Sequence, residues 1–477
     1  MGRPPTANHR AARRGSRSAD VVVVGAGPAG LLAALDAAAA GHEVVVLEAA
    51  DQVGGMAASV EVGGQRVDLG SHRLHPATDR ALLARLQGLL GTDLQVRPRH
   101  GRIALAGRWL AFPLRTGDLL RHLPPRLAAG AALDAATAPL RRPDADTFAE
   151  VVRVGLGPTV ADAFYRPYVT KLWGVPPDDL AGELARRRVS ARSAAGILGR
   201  LVPRRSAAAA KRTFLYPRTG FGAISEALAD AAVAAGAEVR LGTPVDRLTF
   251  ADDRVVVGSG AESVDAGRVW STAPLPTVVR WSDPAPPPAV LDAGAGLTHR
   301  GLVLVHLVVD RPRWTEFDAH YVPAADNPVA RLSEPKNYRD GPDPAGTTVL
   351  CAEVPADVGD ATWNATDDAL GEQVREAVCR LGLPDPAPVA VAVRRLPRVY
   401  PRYRVGYEAD LAALEAWAAA QPRLLTFGRQ GLFVPDNTHH ALAMGAAAAA
   451  ALRPDGTFDD AAWRRARDGF RTHVVED

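Results

Sequence analysis

Hydrophobic and polar positions follow a short period, then a longer one, then the short one again over the opening stretch of the chain. Residues 21–24 are an unbroken run of valine, too short for a buried helix and bounded by turn residues, which predicts a central parallel strand with both faces covered. Leu31, Leu32 and Leu35 then recur at helical spacing, in a segment that opens near Pro28 and stops at Gly41. Proline is favoured at a helix start because its missing N–H has no intrahelical partner there. Residues 43–47 form a second β run that ends on Glu48. Residues 60–62 and 66–69 alternate on either side of Gly63-Gly64, the sequence of a β-hairpin closed by a primed turn.

Further along, Leu82, Leu83, Leu86, Leu89 and Leu90 mark a helix up to Gly91, and residues 102–110 alternate as a hairpin around Gly107. Thr147-Phe148-Ala149-Glu150 has the form of a capping box opening another helix. Pro167 bends or breaks the helix that carries an aromatic cluster at 164–174. A helix over 223–235 precedes strands at 238–241, 245–250, 254–257 and 269–272. Beyond a proline-rich linker at 284–288 come strong strands at 302–309 and 347–354, then a helix from about Thr366 with Leu370, Val374, Val378 and Leu381 on one face. The last strand is 423–427, and Asn437-Thr438-His439 opens an alanine-rich helix to about Leu452. Alternating strands and helices place the chain in the α/β class.

At 477 residues the chain exceeds the size of one growing core, so two or three domains are expected. A hydrophobic content of 47% with 23% charged residues is that of an ordinary globular protein. The formal charge of +3 misleads, because five arginines precede Asp20 and the rest of the chain carries about −2. Residues 1–19 therefore read as a disordered basic tail, with no nucleic-acid partner expected and no signal peptide. Cys351 and Cys379 are the only cysteines and lack metal spacing, which points to a reducing, cytoplasmic compartment and no metal site. No apolar stretch reaches the ~18 residues of a membrane span.

The chemistry lies in the turns. Gly25, Gly27 and Gly30 follow the valine run in G-x-G-x-x-G spacing. The first glycine permits the tight turn, the second lets backbone approach a pyrophosphate, and the third allows close packing of helix on strand. A phosphate is favoured at the N-terminus of the helix that follows, and Glu48 is placed to accept hydrogen bonds from a ribose diol. A second glycine pair, Gly54-Gly55, precedes Met56, and the hairpin leads into Asp68-Leu69-Gly70-Ser71-His72-Arg73. The cluster Tyr165, Tyr168, Lys171 and Trp173 reads as core packing or as a substrate wall, and residues 394–403, rich in Arg, Pro and Tyr, as an anion-binding wall or a rigid connection.

These segments resemble the FAD-dependent amine oxidase superfamily, closest to its protoporphyrinogen oxidase-like and UDP-galactopyranose mutase-like branch. The resemblance covers roughly residues 20–455 and is densest at the two ends. It implies a two-dinucleotide-type FAD-binding domain, with a parallel sheet, assembled from residues 20–76, 211–283 and 423–455. A helical insertion at 77–210, a mixed-sheet substrate-binding domain at 284–422 and an extension at 456–477 complete the chain. It further implies that FAD is held by Gly25, Gly27, Pro28, Ala29 and Gly30, by Glu48 and Ala49, and by Gly54, Gly55 and Met56. Gly70, Ser71 and His72 would pass the flavin ring, Val245 would lie over adenine, Gly428 and Arg429 would meet pyrophosphate, and Asn437, Thr438 and His439 would present a helix N-terminus to the ring. A helix dipole there stabilises the negative charge of a reduced flavin. Where many amine oxidases have arginine after the glycine pair, this chain has Met56.

The function implied is an oxidoreductase that passes hydride from a substrate C–H to flavin N5, with oxygen or another acceptor completing the cycle and the cofactor carrying the chemistry. His72, Arg73, Lys171, Trp173 and Tyr400 are the candidate residues beside a small-molecule substrate. One alternative is a mutase-like enzyme using reduced FAD without net redox, with Arg166, Arg398 and Arg402 clamping a nucleotide diphosphate. The other is a flavin-free binding module of the Rab GDP-dissociation-inhibitor type, which predicts degraded cofactor motifs.

Overall fold

The computed structural model describes residues 17–189 and 213–475. The basic tail up to residue 16 and the 210/211 boundary, with Lys211, lie outside the described residues. The strands of the first half are β1 (Arg17–Val24), β2 (Val44–Leu47), β3 (Ser59–Val62), β4 (Gln65–Asp68), β5 (Leu94–Pro98), β6 (Gly101–Leu105), β7 (Arg108–Phe112) and β8 (Thr213–Pro217). Those following are β9 (Glu238–Arg240), β10 (Arg247–Phe250), β11 (Val255–Ser259), β12 (Glu262–Ser271) and β13 (Ser282–Asp283). The second half adds β14 (His299–Val309), β15 (Ala319–Tyr321), β16 (Arg331–Ser333), β17 (Thr348–Ala356), β18 (Ala390–Pro401) and β19 (Leu424–Thr426).

An eight-stranded sheet runs β13-β10-β11-β12-β1-β2-β9, with β19 also paired to β12. Its β12, β1, β2, β9 and β19 pairings are parallel, and β10 and β11 add an antiparallel flank. The valine run sits in the middle because only a position flanked on both edges and covered on both faces removes all of that apolar surface from water. Helix α1 (Pro28–Ala39) covers one face and is crossed by the helix Thr438–Ala450, so the two ends of the chain pack together. The pairing of β1 starts at Arg17, with Arg17, Ser18 and Ala19 opposite Val264, Asp265 and Ala266. The expected tail therefore ends earlier than residue 19: backbone hydrogen bonding to β12 orders residues whose composition alone reads as solvated.

A seven-stranded sheet, β18-β14-β17-β16-β15-β6-β7, forms the other half of the molecule. Two sequence expectations change here. The hairpin β6–β7, assigned by sequence to the helical segment, joins this sheet through the parallel pairing of β6 with β15. Residues 394–401 belong to β18 and pair with β14, so most of the arginine- and tyrosine-rich stretch is a strand and not a loop connection. The hairpin β3–β4 turns at Gly63 and Gly64 with φ of 56° and 73°, the primed turn its sequence predicts.

Thr147 caps the helix Phe148–Leu156 by accepting from Glu150 N, but the Glu150 carboxylate turns to Asp144 N and Arg153, so the reciprocal half of the capping box is not made. Pro167 follows directly on a π-helical turn at Ala161–Tyr165, and the helical backbone continues through it, Tyr165 and Arg166 both being αR, so the break that the sequence suggests does not occur. Among the described residues no helix is long and apolar enough to cross a membrane.

Candidate active site

A cavity of about 570 Å³ runs from the β1–α1 turn to the face of the second sheet. Its near end is a cradle of backbone. Gly25 has φ of 101°, and Gly27 beyond it is open: a Cβ added there meets nothing within 4 Å, as a position reserved for close approach of a ligand requires. Gly428, φ 79°, closes the same cradle from the other end of the chain, its added Cβ lying 3.3 Å from Ala29 Cβ. Neither helix end that meets the cavity has an acid in its first turn: α1 opens at Pro28, and the helix Thr438–Ala450 opens at the N-cap Asn437. Free N–H groups and aligned peptide dipoles make the α1 end hospitable to an anion; at the other end the Asn437 side chain caps the N3 amide and Asp436 stands just before it. Glu48 anchors the turn as well as the site. Its Oε2 accepts from Ala26 N at 2.7 Å and its Oε1 from Ala50 N at 2.9 Å, leaving a lone pair on each oxygen for further donors. Open glycine backbone, two helix N-termini and an oriented carboxylate fit a dinucleotide.

The segment that carries the middle of the cavity is fixed by a buried carboxylate. Asp68 accepts from Ser59 Oγ (2.7 Å), Tyr216 OH (2.5 Å) and Phe221 N (2.9 Å), three bonds that hold the hairpin end against β8. Gly70, Ser71, His72 and Arg73 follow along the cavity wall. Burial, helped by Arg331 and Arg429, pushes His72 down to about 3, so it is a neutral imidazole at physiological pH. Arg73 is held by Asp318 at 3.2 Å and lies over the rings of Phe214 and Tyr338, so it fixes the wall rather than reaching freely into the space.

The far end belongs to the second sheet. Arg331 on β16 makes a bidentate pair with Glu353 on β17, both bonds 2.9 Å, and Glu353 Oε1 also accepts from Ser71 N at 2.8 Å. One carboxylate thus ties both halves of the molecule together at the cavity. Against a burial that opposes its charge, Glu353 holds Arg331 well above the usual range. Tyr400 faces the same space, pushed up to about 12 by burial and by Glu353. Burial and Arg188 lower Arg429 to about 10, and its guanidinium spends its hydrogen bonds on Asp436 O and Val399 O.

Of the residues named from sequence, Gly25, Gly27, Pro28, Ala29, Glu48, Ala49, Gly54, Gly55, Met56, Gly70, Ser71, His72, Arg73, Val245, Tyr400, Gly428, Arg429, Asn437 and Thr438 line this cavity. Val245 does so from the loop before β10, not from the strand. Gly30 does not line it; a Cβ there would run into Gly25 O, so this glycine serves helix-on-strand packing. Three others are placed elsewhere. Lys171 Nζ donates to Val322 O (2.6 Å) and Val329 O (3.0 Å), with burial lowering its pKa to about 7. Trp173 is core, its indole N–H on Pro401 O. His439 is buried beside His440 and His75. Arg166 and Arg402 are likewise outside the cavity, paired with Asp178 and Asp357, while Arg398 lines it. Tyr168, named in the aromatic cluster, does line the cavity, whereas sequence reasoning missed Arg188, Tyr321, Arg331, Glu353 and Asp436. Glu353 had left one signal, a lone acid inside the otherwise apolar run of β17.

The sequence model of the family described as flavin containing amine oxidoreductase matches residues 28–453. The chain is 48% identical to putrescine oxidase of Kocuria rosea over 82 residues, 17% of each chain. It is 32% identical to the putative flavin-containing monoamine oxidase AofH of Mycobacterium tuberculosis over 291 residues, 56% of this chain and 60% of that protein. These alignments thus span less than two thirds of either relative. Among solved structures, reduced UDP-galactopyranose mutase superposes with a TM-score of 0.78 at 19% identity, covering 96% of this chain and 98% of that one. A putative protoporphyrinogen oxidase from Exiguobacterium sp. 255-15 gives 0.68 at 21%, covering 91% and 100%. At such identities the shared feature is the fold.

Proposed function

Because the chain belongs to the flavin containing amine oxidoreductase family, we propose that it is an FAD-dependent oxidoreductase acting on a C–H bond of a small molecule. The observation that carries this reading is the convergence of Gly27 and Gly428, near opposite ends of the chain, on one cavity. In it the pyrophosphate would lie against the open backbone at Gly27 and the N-terminus of α1, and Glu48 would receive the ribose hydroxyls. The 437–438 helix end, which lines the same cavity, would face the flavin ring. When bound, the flavin supplies the acceptor for a hydride equivalent, and oxygen or another oxidant completes the cycle. The protein supplies a water-poor wall, with neutral His72 on the ring side and Tyr168, Tyr321 and Tyr400 beyond it. Two free cysteines, Cys351 buried and Cys379 exposed, support a cytoplasmic location.

The far wall bears on the substrate. Among the described residues no carboxylate pairs with Arg188 or Arg398; of the buried acids lining the cavity, Glu353 is consumed by Arg331, and Asp436 lies at the 437–438 helix end beside His473. A protonated amine entering here would meet like charge in a poorly screened space. Neutral or anionic substrates are expected, and the same arginines favour as second reading a non-redox reaction on a nucleotide sugar. Anaerobic mixing with candidate substrates tests both. Flavin absorbance should bleach with neutral or acidic C–H donors and stay unchanged with putrescine, whereas rapid bleaching by protonated diamines would overturn the substrate assignment. Turnover of a UDP-sugar only after dithionite reduction would establish the second reading.

A further inference from the structure

The segment after the helix Asp460–Phe470, part of the extension expected at 456–477, returns to the cavity. Val475 is buried and lines it, its N–H donating to Arg187 O at 2.7 Å, while Arg187 Nη2 donates back to Arg471 O at 3.1 Å. Between these ties His473 Nδ1 lies 2.6 Å from Asp436 Oδ2. Asp436 is itself a cavity residue, 2% exposed, and immediately precedes the N-cap Asn437. Its Oδ1 makes no hydrogen bond among the described residues, the nearby cation being Arg187 Nη1 at 3.8 Å. His440 completes the group. Its Nδ1 accepts from Asn437 N at 3.3 Å, and its ring stacks on that of His473 with centroids 4.1 Å apart and planes 13° from parallel.

Asp436, His440 and His473 bring three ligating atoms within 4.8 Å of one another, the spacing of a metal site. The ring geometry argues otherwise. An ion bound by an imidazole lies in the ring plane, along the nitrogen lone pair, and two nearly parallel rings stacked face to face share no such point. The His440 lone pair is moreover engaged by backbone. What the arrangement does instead is hold a buried carboxylate still. A carboxylate at a helix N-terminus interacts favourably with the dipole, and here a donor from a distant segment fixes its direction.

We propose that His473 is a positioning residue of the flavin site: through Asp436 it sets the 435–438 turn that opens the ring-facing helix, and it carries Val475 into the cavity wall. This rests on the flavin reading. The charged and titratable groups facing His473 and Asp436 are Arg187 from the helix Gly182–Arg188, Tyr403 after β18, Arg429 from the turn after β19, and His440 on the ring-facing helix. Burial and its histidine neighbours keep His440 down to about 3, so it contributes no charge to the pair at physiological pH.

Two variants separate the hydrogen bond from the ring. His473→Asn places an amide nitrogen close to the position of Nδ1 and discards the stacking surface; His473→Phe keeps the ring and discards the donor. Full-length deflavinated proteins are titrated with FAD by fluorescence, and the midpoint potential of the reconstituted proteins is measured with redox dyes. His473→Phe is expected to weaken FAD binding about tenfold and to lower the potential, since an undirected buried carboxylate disfavours added negative charge on the ring. His473→Asn is expected to stay within about twofold of wild type. Wild-type behaviour of the Phe variant, or loss in both variants alike, would overturn the proposal; His473→Ala replaces the Phe variant if that does not fold. If the wild-type protein binds no FAD, it is the flavin reading that fails.

Discussion

Gly445→Ala is expected to strip the flavin from the protein without altering any residue of the cavity. Gly445 lies on the helix Thr438–Ala450 where it crosses α1. A single Cβ there would lie 3.1 Å from Ala29 C and 3.3 Å from Ala29 Cα, and closer to the Ala29 carbonyl oxygen than real Cβ atoms come. Nothing can yield locally, because the obstacle is backbone in the first turn of α1 and the neighbours Leu31, Leu442 and Ala448 are wholly buried. The helices must move apart, and with them the two halves of the cradle, since Ala29 and Gly428 face each other across it. Overpacking of this kind costs about 1–3 kcal/mol, and a loss of that size in binding free energy weakens FAD binding by roughly tenfold to a hundredfold. The ratio of flavin to protein absorbance in the purified variant reads the effect. Gly88→Ala is the control, a helix-interior glycine whose added Cβ meets nothing within 4 Å. Full flavin content in the Gly445 variant would mean that the crossing does not set the site.

Glu353→Ala is expected to lower stability by about 3–5 kcal/mol, the usual consequence of leaving one member of a buried ion pair behind. The removed carboxylate is 2% exposed and serves Arg331 through two bonds and Ser71 N through a third, so its loss orphans a cation and a backbone donor at once. The double variant Glu353→Leu with Arg331→Met should recover most of the loss, because replacing both charges by apolar groups removes the desolvation cost along with the attraction. Urea unfolding of the three proteins decides it. A double variant less stable than Glu353→Ala would show that the pair itself, and not the orphaned charge, stabilises this seam.

How much of this was legible in the sequence depended on whether the determining contacts were local. The valine run, the glycines, Glu48 and the helix starts each state their geometry within a few residues, and the glycine-lined end of the cavity follows from them. The far end comes from β16 and β17, whose approach to Ser71 is a tertiary contact with no local signature beyond the buried acid. The helix Arg166–Trp173 shows the difficulty most clearly. Its composition suggested a substrate wall, but composition cannot say which stripe turns inward. In the folded chain Tyr168 and Leu172, four apart, line the cavity, Leu172 packing in the core as well, while Val169 and Trp173, also four apart, lie in the core alone. The hairpin β6–β7 was readable as a hairpin, but its sheet was not, because that depends on β15 lying alongside β6.

The most direct measurement is a titration of the deflavinated full-length chain with FAD and, separately, with FMN. A cavity that grips pyrophosphate and ribose between Gly27, Glu48 and Gly428 should take up one FAD per chain and fail to retain FMN, which lacks the adenylate half. Equal binding of the two, or binding of neither, would contradict the account.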